Sequence, residues 1–62
     1  MNKYQRMALA EQDLEVKDPA HLLDRHASHI SGVLSGRYSA PDLRKKISKI
    51  LRKSEDYLWP DK

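Results

Sequence analysis

Three observations predict that these 62 residues form a single all-α domain, a bundle of four to five helices. No segment alternates apolar and polar side chains for the length of a strand, and β-branched residues are sparse. Apolar residues instead recur at three- and four-residue spacing, the period of a helix packed on one side. The absence of cysteine removes disulfides, thiolate metal ligands and thiol nucleophiles together. A chain of this size buries only about 60% of its unfolded surface, so its core is thin. No apolar run approaches the length of a membrane span or a signal-peptide core, and the expected location is the cytoplasm.

The first helix is expected from Asn2 or Lys3 to Leu14, with Tyr4, Met7, Ala8, Glu11 and Leu14 on one face and all but Glu11 able to pack inward. Glu11, Asp13 and Glu15 oppose the helix dipole near its end. Residues 15–18 read as a loop from which Val16 can tuck inward. Asp18-Pro19 signals the next start: aspartate caps, and proline at the first helical position lacks only an N–H that would be unpaired anyway. The second helix then runs from Pro19 to about His26, with Ala20, Leu23 and Ala27 inward and Leu22 widening the stripe.

Ser28 can cap the third helix, in which Ile30, Val33 and Leu34 fall at i, i+3 and i+4. Gly36 is the expected stop, since glycine enters the left-handed conformation without steric penalty. The exposed side of this helix is expected to carry His29, Ser31, Gly32 and Ser35, small or hydrogen-bonding groups suited to close approach in a DNA major groove. Ser39 and Asp42 resemble a capping box for the fourth helix. Its seam is Leu43, Ile47, Ile50 and Leu51, with cations over most of the remainder. Ser54-Glu-Asp caps a short last element holding Tyr57, Leu58 and Trp59, which belong to the core, to a dimer contact, or to both.

Charge is uneven along the chain. Residues 37–53 hold seven cations (Arg37, Arg44, Lys45, Lys46, Lys49, Arg52 and Lys53) against Asp42 alone, while the flanking segments are slightly acidic. Such a block fits a polyanionic partner or a solvated helix face. His21, His26 and His29 invite a metal reading, but no cysteine or well-placed carboxylate completes a tetrahedron, so no metal or other cofactor is expected. Nothing resembles a nucleophile elbow, a phosphate loop or a paired-carboxylate cleft, so neither catalysis nor a small-molecule ligand is expected.

The run Ile30-Ser-Gly-Val-Leu-Ser-Gly-Arg-Tyr38 resembles the third helix and following turn of lambda-repressor-like helix-turn-helix proteins, the Cro and repressor group. Ser39-Ala-Pro-Asp-Leu43, Ile47, Ile50-Leu51 and Tyr57-Leu-Trp-Pro60 resemble the fourth and fifth helices of that group. The Trp-Pro ending is particularly similar to small Ner-like regulators of transposable phages. The resemblance covers residues 27–60 by motif and residues 1–26 by helix order. It departs where the family has a glycine and an apolar residue in the turn before the third helix. Asp24 and Arg25 occupy those positions here, so the second helix or its turn must be shortened or rebuilt.

The resemblance implies a sequence-specific transcriptional regulator, a phage repressor acting by occupying a double-stranded operator, commonly as a homodimer. It implies that Ser28 and the first amides of the third helix sit near a phosphate, and that His29, Ser31, Gly32 and Ser35 face base edges, with Gly32 close to the groove floor. Ser35, Arg37 and Tyr38 would border the backbone, with Arg37 the direct phosphate ligand. Some of Arg44, Lys45, Lys46 and Lys49 would add phosphate contacts or long-range attraction. Tyr57, Leu58 and Trp59 are the candidate dimer contact. The competing expectation is a small protein-interaction module, antirepressor or antitoxin-like, whose basic helix meets an acidic partner protein.

Overall fold

The computed structural model describes residues 1–60; Asp61 and Lys62 of the acidic tail lie outside them. Among the described residues five helices follow one another without a strand: α1 (Lys3–Glu11), α2 (Lys17–Leu22), α3 (Ala27–Ser35), α4 (Pro41–Leu51) and α5 (Glu55–Leu58). The all-α expectation is met. No helix among these residues is long and apolar enough to cross a membrane. Ile30, Val33 and Leu34 of α3 share one core with Leu43, Ile47 and Leu51 of α4, with Leu58 and Trp59, and with Ala8, Leu9 and Ala20 from α1 and α2. Each large aliphatic side chain fully buried there contributes about 1.5–3 kcal/mol.

The buried face of α1 differs from the expected one. Tyr4 and Met7 point outward, Met7 with 49% of its surface exposed, whereas Gln5, Ala8 and Leu9 are buried. Hydrogen bonding explains the rotation. Asn2 and Gln5 form a capping box, the Asn2 side chain accepting from the Gln5 amide at 2.8 Å and the Gln5 side chain accepting from the Asn2 amide at 3.1 Å. The Gln5 Nε2 then donates to the carbonyls of Leu34 (2.8 Å) and Leu58 (2.7 Å). A fully buried amide with all these partners fixes which side of α1 faces inward.

Helix ends follow one pattern. In α1, α2, α3 and α4 the chain leaves through a left-handed residue, Asp13 (φ 57°), Asp24 (φ 55°), Gly36 (φ 84°) and Arg52 (φ 60°) respectively. In each, the amide one residue further on closes back onto the last turn: Leu14 to Leu9, Arg25 to Ala20, Arg37 to Gly32 and Lys53 to Ser48, at 2.8–3.1 Å. These are Schellman closures, three of them built on side-chain-bearing residues instead of glycine. The shortened second helix is one result. It stops at Leu22 instead of His26, and Asp24 takes the conformation that a glycine would adopt freely.

Starts differ as well. α2 begins two residues before Pro19, which is tolerated anywhere in a first turn because the amides there have no helical partner. The Asp18 carboxylate accepts from the Glu15 amide (2.7 Å) instead of capping the helix. α3 begins at Ala27 after an extended His26, so Ser28 is already inside the helix and forms no cap. Pro41 takes the first position of α4, which places Ala40 at the cap and leaves the Ser39–Asp42 box unformed. Ser54 does cap α5, accepting from the Tyr57 amide at 3.1 Å. Leu22 and Ala27, expected inward, are exposed, Leu22 by 64%.

Candidate functional site

The candidate site is the outward side of α3 and the five-residue link to α4. Ile30, Val33 and Leu34 hold the inward side with essentially no exposure. At about 100° of rotation per residue, Ala27, Ser28, Ser31 and Ser35 share an arc of about 100° that begins beside Leu34, and all four are exposed. The open face is therefore narrow, uncharged and built of three hydroxyls and a methyl. Ser35 donates its hydroxyl to the Gly32 carbonyl (3.1 Å). The hydroxyls of Ser28 and Ser31 stand in solvent, with no bond to another of the described residues.

His29 and Gly32, expected on this face, are not part of it. They lie on the adjoining flank, under the Tyr38 ring. Gly32 is buried, and a Cβ added there would overlap Tyr38 Cε2 and reach within 2.6 Å of Cδ2. His29 is half-buried and stacks on Tyr38, ring centroids 5.1 Å apart and planes inclined by 23°. Gly32 thus admits an aromatic ring of its own chain, and no groove floor can reach it while the ring is there. For His29 the helical period carried the signal: projected from Ile30, Val33 and Leu34, residue 29 falls beside Val33 and away from Ser31, whereas Gly32 falls beside Ser28 and is covered only by the returning ring.

The two ends of α3 are held differently. At its C-terminal end, carbonyls that a helix leaves unpaired are taken by side chains. Trp59 Nε1 donates to Val33 (3.2 Å) and Leu34 (3.1 Å), and Gln5 donates to Leu34. At its N-terminal end no side chain caps the helix. His26 there shares an open cleft with Ala20, His21, Asp24 and Arg25. Compared with known protein families, characterised proteins and solved structures, the chain matches none.

The basic block divides into two kinds of cation. Arg37, Lys45, Lys46, Lys49 and Arg52 are exposed and, among the described residues, lie in no salt bridge. Lys45, Lys46 and Lys49 share the solvent side of α4. Two others are committed internally. Arg44 stacks its guanidinium over the Trp59 ring at 4.8 Å, with Nε buried and without a hydrogen-bond partner. Lys53 pairs with Glu11 (3.0 Å) and lies over the Tyr57 ring at 5.0 Å. Arg44 is thus half-buried, unlike the exposed Lys45, Lys46 and Lys49.

The structure corrects the expected dimer contact. Leu58 and Trp59 are buried in the chain's own core, where Trp59 also secures α3, so neither is free for a second copy. Only Tyr57 of the three reaches the surface, edge-on to Tyr4 with centroids 5.4 Å apart.

Proposed function

We propose that this chain is a sequence-specific binder of duplex DNA, a transcriptional regulator of the Cro or Ner type, with α3 as the helix that enters the major groove. The observation that carries this reading is the contrast around α3: a fully buried apolar side, Ile30, Val33 and Leu34, and beside it an exposed face of Ala27, Ser28, Ser31 and Ser35 that can lie close to base edges. Exposed cations flank it, Arg37 immediately after the helix and Lys45, Lys46 and Lys49 on α4. Hydroxyls read base edges with one bond at a time, and none of the two-pronged donors that grip guanine or adenine lies on the face. Specificity then depends on DNA shape and on the register set by phosphate contacts as well as on the serines. Regulation by operator occupancy needs nothing further from the site.

Selection of bound duplexes from a random pool, followed by mobility shifts on the selected and a scrambled duplex, tests the proposal. Ser31→Ala should reorder preference among sequences. Lys45→Ala with Lys46→Ala should weaken all duplexes and lower the slope of log affinity against log salt by about 0.9 for each phosphate no longer neutralised. A pool that yields no consensus, together with a Ser31→Ala protein indistinguishable from wild type on every duplex, would sink it. If these changes spare DNA binding but abolish capture of an acidic protein partner, the interaction-module reading stands instead.

A further inference from the structure

We propose that His29, Gly32 and Tyr38 form an aromatic lock whose task is to fix Arg37, making Tyr38 and Gly32 positioning residues for sequence discrimination. The inference rests on the DNA-binding reading above and adds the device that couples its phosphate contact to its base reading. After α3 the chain reverses through Gly36 in the left-handed conformation (φ 84°), and the Arg37 amide closes onto the Gly32 carbonyl at 2.8 Å. That reversal carries Tyr38 back across the flank of α3, where its ring fills the space that any Cβ at residue 32 would need. His29, one turn earlier on α3, stacks against the ring and holds it in place.

The consequence falls on the residue between. Arg37 is exposed, yet its backbone is tied on one side by the bond to Gly32 and on the other by the seated Tyr38 ring. On a loose link, an arginine follows whichever phosphate is nearest and strengthens binding to every sequence alike. On a fixed link it meets its phosphate only when α3 sits at one depth and register in the groove. The phosphate contact then becomes conditional on the bases that the α3 serines face, and contributes to discrimination. Tyr38 itself remains 42% exposed, so the lock is formed on the protein surface and a change there leaves the core intact.

A double-mutant cycle tests this. Wild type, Tyr38→Ala, Arg37→Ala and the double variant are compared for the ratio of affinities on selected and scrambled duplexes, with thermal unfolding as a folding control. Tyr38→Ala should reduce that ratio about tenfold, with affinity for the scrambled duplex unchanged or higher, and should add nothing in the Arg37→Ala background. Tyr38→Phe, which keeps the ring, should restore the ratio, and Gly32→Ala, where it folds, should behave as Tyr38→Ala. Unchanged discrimination in Tyr38→Ala, or the same loss with and without Arg37, overturns the lock while leaving the proposed function standing. A wild-type chain that discriminates among no duplexes removes the proposed function and the lock with it.

Discussion

The two ends of α3 are opposites. At the C-terminal end the Val33 carbonyl takes Trp59 and the Gly36 amide, the Leu34 carbonyl takes Trp59 and Gln5, and the Gly32 carbonyl takes Ser35 and the Arg37 amide. At the N-terminal end His26 is extended, no side chain caps the helix, and the first residues are exposed. Side chains from the rest of the chain hold the helix at one end, and at the other, among the described residues, only the His26 carbonyl is engaged, by the amides of His29 and Ile30. The unpaired amides and the positive end of the helix dipole together favour an anion at that end.

The largest effect is expected from loosening the pinned end. Gln5→Ala removes two donors from the carbonyls of Leu34 and Leu58 and breaks the capping box with Asn2. Both carbonyls keep another partner, Trp59 for Leu34 and Asn2 for Leu58, so the loss falls short of leaving them wholly unpaired. Destabilisation of about 2–4 kcal/mol is expected, read from the urea midpoint at unchanged slope. Trp59→Phe, which keeps the ring under Arg44 but loses the indole N–H, should lower stability by about 1–2 kcal/mol. If Gln5→Ala shifts the midpoint by less than Trp59→Phe does, Gln5 is a minor support and the account of α1's orientation fails.

Closing the open end sharpens the comparison from the other side. His26→Asp supplies the missing cap and should raise stability by about 1 kcal/mol. It also adds a carboxylate at the helix end where the family resemblance puts a phosphate, so affinity for every duplex should fall. His26→Ser supplies a neutral cap, with a similar gain and a smaller loss of binding. Thermal unfolding and mobility shifts on the same two proteins decide it. Tighter DNA binding by the aspartate variant would mean that no phosphate approaches that end.

What is readable from the sequence follows from which physics leaves a local trace. The α4 seam of Leu43, Ile47, Ile50 and Leu51 (Ile50 only partly buried), the Ile30–Val33–Leu34 stripe, the Gly36 stop and the Ser54 cap each depend on residues within one or two turns, and each is found where the spacing places it. The orientation of α1 depends on carbonyls 29 and 53 residues away in the chain, so apolar periodicity selects Tyr4 and Met7 where hydrogen bonding selects Gln5. A local trace of it does exist in the Asn2–Gln5 capping-box spacing. Gly32 reads as a site for a ligand because the ring that covers it arrives through a reversal six residues later. The second helix reads as longer because glycine is the expected stop, and here Asp24 supplies it.

The smallest expected effect tests whether these closures on residues other than glycine carry strain. Arg52 ends α4 at φ 60°, where a Cβ crowds the following carbonyl at a cost of about 1–2 kcal/mol, offset in a glycine variant by the greater freedom of the unfolded chain. Arg52→Gly should therefore stabilise by about 0.5–1 kcal/mol, a rise of roughly 2–8 °C in Tm for a domain of this size. Arg52→Ala removes the same charge but keeps the Cβ, so it should show no gain. If both variants gain equally, charge repulsion within the basic block, and not backbone strain, is the cost that the native residue carries. If only glycine gains, Gly36 is the relaxed member of the set, and the chain has placed it at the one helix end from which a ring must fold back onto α3.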